Sequence, residues 1–199
     1  MLDLGQMSRI CVFCGSSSGS DPAFAEAAKR VGEFLATNGI ELVYGGGRVG
    51  LMGIVADSVL ANSGRVIGVI PSALDKKEIG HKGLNELYVV NSMHERKALM
   101  AELSDGFIAL PGGFGTYEEF CEIVTWAQLG IHNKPCGLLN VKGFYDPIIS
   151  QFDRAVDSGF VRPDHRSIVL LSDNIEDLFE QFKGYRPPTV EKWIDPAES

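Results

Sequence analysis

The feature that most constrains this chain is a set of short apolar runs, each ending in small residues and followed by a helix-like stretch. Val66-Ile67-Gly68-Val69-Ile70 and Gly106-Phe107-Ile108-Ala109-Leu110 are the clearest. They are continuous rather than alternating, so both faces of each strand need cover, as in a parallel sheet wrapped by helices. The rest keeps the rhythm. Ser8 to Cys14 reads as the first strand and Ile40 to Tyr44 as the second; Leu87 to Val90, Cys136 to Asn140 and Ser167 to Leu171 follow. Between them fall helical stretches at Pro22 to Thr37, Leu51 to Asn62, Ser92 to Met100, Phe120 to Trp126, Phe144 to Asp157 and Ile175 to Phe182. Asp21-Pro22 supplies an N-cap followed by proline at the first helical position. Ser172-Asp173 is the expected cap of the last helix. This alternation predicts an α/β fold: one Rossmann-like open parallel sheet with helices on both faces, in a single domain over residues 1–185. Residues 186–199, with Pro187, Pro188 and Pro196, read as a tail that Trp193 pins to the surface or to a neighbouring subunit.

In such sheets ligands bind at the carboxyl ends of the strands. Four segments there are rich in glycine or charge: Gly15 to Ser18, Gly45 to Gly50, Pro71 to Glu78 and Pro111 to Glu119. The last, Pro111-Gly112-Gly113-Phe114-Gly115-Thr116-Tyr117-Glu118-Glu119, turns from a strand into a helix. Its glycines admit close approach of a ligand, and the helix directs free N–H groups and a positive dipole end at the turn. The plain alternative is a tight turn in which Thr116 and Glu119 form a capping box. Gly45-Gly46-Gly47-Arg48-Val49-Gly50 matches G-x-G-x-x-G, but on the second strand–helix turn. The next strand ends in Pro71-Ser72, with no acidic residue for a ribose, so the glycines read as a close-approach loop and not an NAD site. The long connection Pro71 to Glu86 is either functional or a surface excursion.

The helix opening at Ser92, with Ser92 and Glu95 as a possible capping box, breaks two local rules. Arg96 and Lys97 lie near its N-terminus, where positive charge is disfavoured. Arg96 also falls within the apolar stripe that includes Met93, Leu99, Met100 and Leu103. A charge on an inward face needs a partner or a ligand, unless it snorkels to water; breaks of this kind mark sites.

Composition limits the partners. Net charge is −8 over 199 residues, which argues against nucleic acid. No apolar run nears the ~18 residues needed to span a membrane, and no secretory signal is visible. A cytoplasmic protein with reduced thiols is expected. Cys11 and Cys14 form a C-x-x-C on a strand rather than at a helix start, and His94-Glu95 lacks the second histidine of a zinc motif, so neither a redox centre nor a metal is expected.

Taken together, Ser92-Met93-His94-Glu95-Arg96-Lys97 and the P-G-G-x-G-T-x-x-E motif at Pro111 to Glu119 resemble the LONELY GUY family. These are cytokinin riboside 5′-monophosphate phosphoribohydrolases, long mislabelled as lysine decarboxylases. Cys11-Val12-Phe13-Cys14-Gly15-Ser16-Ser17, Val43-Tyr44-Gly45-Gly46-Gly47, Gly50-Leu51-Met52-Gly53, Val66 to Pro71 and Thr125 to Gly130 carry the resemblance across roughly residues 9–185. It implies a homodimer that hydrolyses the N-glycosidic bond of an N6-modified adenosine 5′-monophosphate, without metal or organic cofactor. Arg96 and Glu119 are the implied catalytic pair. Gly15, Ser16, Gly46, Gly47, Glu78, Met93, Lys97, Gly112, Gly113, Phe114, Gly115, Thr116, Tyr117, Glu118 and Thr125 are the expected substrate contacts. In this family parts of a site can come from the partner chain. A general AMP hydrolase and a nucleotide-binding module without turnover are the alternatives.

Overall fold

The computed structural model describes residues 7–75 and 80–188. Lys76, Lys77 and Glu78 lie outside the described residues, as does the tail from 189, Trp193 included. The elements alternate as the apolar runs predict. They are β1 (Arg9–Phe13), α1 (Pro22–Thr37), β2 (Glu41–Tyr44), α2 (Gly50–Ala61), β3 (Val66–Pro71), α3 (Ser72–Asp75), β4 (Glu86–Val90) and α4 (Met93–Leu103). There follow β5 (Gly106–Ala109), α5 (Phe114–Gln128), β6 (Cys136–Leu139), α6 (Asp146–Asp157), α7 (Pro163–Arg166), β7 (Val169–Ser172) and α8 (Ile175–Gly184).

The sheet has seven strands in the order β4-β3-β2-β1-β5-β6-β7, and all six pairings are parallel. The first four strands add outward from β1. Helix α4 then returns the chain across the sheet to place β5 on the other side of β1. Val12 therefore has Tyr44 opposite it on one side and Ile108 on the other. The far end of this junction is clamped by Asp105, whose Oδ2 accepts from Ser8 N at 2.8 Å and Arg9 N at 2.9 Å.

Strand alternation divides the interior into two layers. Ile10, Val12, Leu42, Tyr44, Val66 and Ile108 face α1, α2 and α8. Cys11, Phe13, Val43, Ile67, Val69 and Phe107 face α4, α5 and α6. Cys11, Cys14 and Cys136 are free and buried, and burial pushes each thiol above its ordinary value. They are packing residues.

The caps explain where helices start. Asp21 accepts from Ala23 N at 2.8 Å. Ser92 Oγ accepts from Glu95 N at 3.1 Å, while Glu95 reaches back to Asn91 N at 2.8 Å. Three expectations need correction. Helix α5 begins at Phe114 with Gly113 as its N-cap, six residues before Phe120, so Thr116 and Glu119 lie inside the helix and form no capping box. Helix α8 is capped by Asn174, whose Oδ1 accepts from Asp177 N at 2.8 Å, and not by Ser172-Asp173. The long connection from Pro71 to Glu86 opens with the short helix α3, and a second short helix, α7, stands between α6 and β7.

Candidate active site

The strand order reverses between β1 and β5, and that is where an open parallel sheet leaves a crevice. The loops above it are tied by backbone bonds. Gly15 N donates to Pro111 O at 3.1 Å, and Leu51 N donates to Gly15 O at 3.0 Å. They enclose a cleft of about 230 Å³ lined by Gly15, Ser16, Ser17, Gly112 and Gly113, with Phe24 and Phe144 among its walls. Tyr145 fixes the floor by donating to Leu110 O at 2.6 Å, and Tyr117 stacks on Phe144 with ring planes 4° apart. The N-terminus of α5 opens here without a side-chain cap, so its first N–H groups and dipole end present a site for an anion.

The glycines of this turn have different reasons. A Cβ on Gly112 would overlap Thr116 Oγ1 and stand 2.7 Å from Thr116 Cβ, so the buried Thr116 demands that glycine. A Cβ on Gly113 or Gly115 would meet nothing within 4 Å, so packing within the chain asks for neither.

Helices α4 and α5 lie side by side on one face of the sheet and bring four charges together. Arg96 and Glu119, 8% and 9% exposed, form a buried ion pair: Arg96 Nη1 donates to Glu119 Oε1 at 2.8 Å. Arg96 Nε donates to Val69 O at 3.1 Å, which fixes the guanidinium plane. Arg96 is thus held inside and does not snorkel. Burial raises the pKa of Glu119 above the ordinary carboxylate value, against the opposing pull of Arg96. Beside this pair, Lys97 is held between Glu118 and Glu122, the latter at 2.9 Å. Burial draws the Lys97 pKa down, but the bonds to Glu118 and Glu122 outweigh it and hold the ammonium above its ordinary value.

The structure brings Gly15, Ser16, Gly112 and Gly113 to the crevice, packs Thr116 against Gly112 and Tyr117 against Phe144 behind it, and brings Arg96, Lys97, Glu118 and Glu119 to the α4–α5 seam. Gly46, at φ +72°, and Gly47, bridged to Gly80, form the turn after β2. Met93 and Phe114 are exposed at the first positions of their helices. Thr125 stands apart. Its hydroxyl donates to Cys121 O at 2.7 Å, and it lines a groove of about 640 Å³ between the outer faces of α4 and α5 with His94, Ala98, Trp126, Leu129 and Ile131. Glu78 lies outside the described residues. Glu122 was not expected from the sequence; its spacing of four from Glu118 was the available signal, since i and i+4 share a helix face.

The chain is 51% identical over 181 residues to a rice (Oryza sativa subsp. japonica) protein named probable cytokinin riboside 5′-monophosphate phosphoribohydrolase LOGL1, covering 91% of this chain and 81% of that one. It is equally 51% identical over 179 residues to cytokinin riboside 5′-monophosphate phosphoribohydrolase LOG7 of Arabidopsis thaliana, covering 90% and 82%. The chain belongs to the cytokinin riboside 5′-monophosphate phosphoribohydrolase family. A family model described as "Possible lysine decarboxylase" also matches residues 52–182. Among solved structures, the molybdenum cofactor binding protein from Rippkaea orientalis superposes with a TM-score of 0.67 at 24% identity, over 90% of this chain and 97% of that one. A molybdenum cofactor carrier protein from Chlamydomonas reinhardtii gives 0.67 at 21%, over 90% and 98%. These proteins share the fold of this chain.

Proposed function

We propose that this chain hydrolyses the N-glycosidic bond of N6-modified adenosine 5′-monophosphates, releasing the free base and ribose 5-phosphate. The observation that carries the reading is the buried Arg96–Glu119 pair, set in the second turn of a helix whose uncapped N-terminus opens on the crevice. Glu119 lies five residues beyond Phe114, about 7.5 Å along the helix axis. A phosphate at the N-terminus therefore places its ribose towards the carboxylate.

The reaction passes through an oxocarbenium-like transition state. In this reading the Glu119 carboxylate stabilises the positive charge at the anomeric carbon and activates water. Arg96 engages Oε1, orients the carboxylate and attracts the departing base. The N–H groups at Phe114, Gly115 and Thr116 hold the 5′-phosphate, and that remote binding energy positions the ribose. Glu118 is the nearest carboxylate for the ribose hydroxyls. Gly113 and Gly115 support this, because the chain's own packing does not require them, whereas a phosphate close to the backbone does. Lys97 stays charged between two carboxylates, which is unsuited to the neutral amine a Schiff-base decarboxylase needs.

The active form in this reading is a homodimer. Thr125 is six residues from Glu119, about 120° around the helix, and faces the outer groove. It can meet a substrate only in a second copy's site, and the groove is where that copy docks. Four free thiols fit the reducing cytoplasm.

The test is a chromatographic assay of isopentenyladenosine 5′-monophosphate, AMP and isopentenyladenosine in parallel. Free base from the modified monophosphate, with little from the nucleoside, is expected. Equal or better cleavage of AMP would replace this reading with general nucleotide turnover, and no release from any of the three would end it.

A further inference from the structure

The turn after β2 matches a dinucleotide fingerprint, yet its first glycine faces an arginine of the same chain. A Cβ built on Gly45 would overlap Arg96 Nη2, and would stand 2.9 Å from Arg96 Cζ and 3.4 Å from Nε. The three nearest heavy atoms all belong to that one guanidinium. The backbone supplies no other reason: Gly46 and Gly50 have positive φ, at +72° and +59°, but Gly45 does not. The three nitrogens of Arg96 thus have three distinct surroundings. Nε donates to Val69 O within β3, Nη1 donates to Glu119, and Nη2 lies against Gly45 just past β2.

We infer that Gly45 is a positioning residue for the reaction: the space left by its missing side chain is the seat of the Arg96 guanidinium, and through Arg96 it sets the Glu119 carboxylate. The inference rests on the function proposed above. The other glycines of this turn have their own reasons. Gly46 and Gly50 supply left-handed turns, a Cβ on Gly50 would also overlap the backbone of Ser16 and Ser17, and a Cβ on Gly47 would stand 2.8 Å from the end of the Met52 side chain. So this G-x-G-x-x-G shapes a cradle for an arginine, where in a dinucleotide site it admits a pyrophosphate. A methyl group at position 45 leaves the backbone unstrained and pushes only the far end of a side chain. The fold survives and the guanidinium moves. A shift of about 1 Å at a reacting centre costs on the order of 100-fold in rate.

A purely structural glycine would scale the whole pH–rate profile. A positioning glycine moves its acid limb, because Arg96 opposes the burial that raises Glu119. The other groups facing Glu119 are Lys97 on α4, Glu118 on α5, and Cys11 and Cys14 from β1 and its end. None of these is touched by the substitution.

The experiment compares wild type, Gly45→Ala, Arg96→Ala and the double variant by thermal melting, and the first two also by base release from isopentenyladenosine 5′-monophosphate. Gly45→Ala is expected to lower kcat about 100-fold and to move the acid limb of kcat/KM to higher pH. It should lower Tm by about 3 °C with Arg96 present and by under about 1 °C in the Arg96→Ala background, since the overpacked atoms are then gone. A kcat for Gly45→Ala within about threefold of wild type, with the same Tm loss in both backgrounds, overturns the inference. Should wild type release no base, the proposed function fails instead, and the Tm comparison alone still decides whether Arg96 is what position 45 accommodates.

Discussion

Replacing Glu119 by glutamine separates catalysis from support. The substitution keeps the shape and keeps Oε1 as an acceptor for Arg96, which now donates to it at 2.8 Å. What it removes is the negative charge. If that charge carries the oxocarbenium stabilisation and the activation of water, turnover falls by about 10²- to 10⁴-fold, or roughly 3–5 kcal/mol of barrier at 1.36 kcal/mol per decade. Stability changes too. Burial disfavours the Glu119 charge more than Arg96 favours it, so a neutral amide that keeps the hydrogen bond costs at most about 1 kcal/mol. For a chain of this length that lowers Tm by roughly 2–4 °C, so assays at 25 °C sample folded protein. The stability effect depends on pH. The folded-state pKa of Glu119 is raised above its unfolded value, so its contribution is fully present below the unfolded pKa and is lost as pH rises through the folded one. Wild type should therefore gain on Glu119→Gln as pH falls through that window, in parallel chemical denaturation series. Near-normal kcat in a folded Glu119→Gln protein would refute the catalytic assignment and leave Glu119 as the counter-charge of Arg96.

Two further outcomes follow from the site. Gly113→Ala and Gly115→Ala should leave Tm within about 1 °C, since neither Cβ meets an atom of the chain. They should raise KM for the monophosphate by about tenfold or more, roughly the 1.4 kcal/mol of one charge-assisted hydrogen bond. Unchanged KM for both would remove the phosphate from the α5 N-terminus. For the dimer, Glu119→Gln and Thr125→Val are each expected to be impaired alone. If sites are shared, mixing them should restore up to about a quarter of wild-type activity, because half of the chains are then in mixed pairs and each mixed pair has one site free of both changes. No recovery on mixing subunits shown to exchange would place Thr125 outside the partner's site.

The fold was legible in the sequence because strands covered on both faces must be apolar throughout, and β3 and β5 leave little room for another reading. The start of α5 was not. Three glycines disguise a helix that needs no side-chain cap, so Thr116 and Glu119 resembled a capping box. Arg96 stood out because a charge inside an apolar stripe violates local consistency. Its partner could not be found by spacing, because Glu119 is 23 residues away across a whole strand, and only the common seam of α4 and α5 joins them. Lys97 stood out only as a positive charge misplaced at a helix start, and two carboxylates at one helix spacing are what hold it there. Gly45 read correctly as a place of close approach; what approaches is a side chain of the same molecule.

The return of the chain through α4 has a consequence for how the protein reaches its working state. β1 pairs with β2 early in the sequence, but its other neighbour, β5, begins 97 residues after Arg9. Contacts of such separation form late, because loop closure precedes any gain from them. The Asp105 clamp on Ser8 and Arg9, the crevice above β1 and β5, and the Arg96–Glu119 pair all depend on that single docking event. A growing or partly folded chain can therefore assemble β1 to β4 and still hold no site, so hydrolytic competence waits on the closure of β5 against β1.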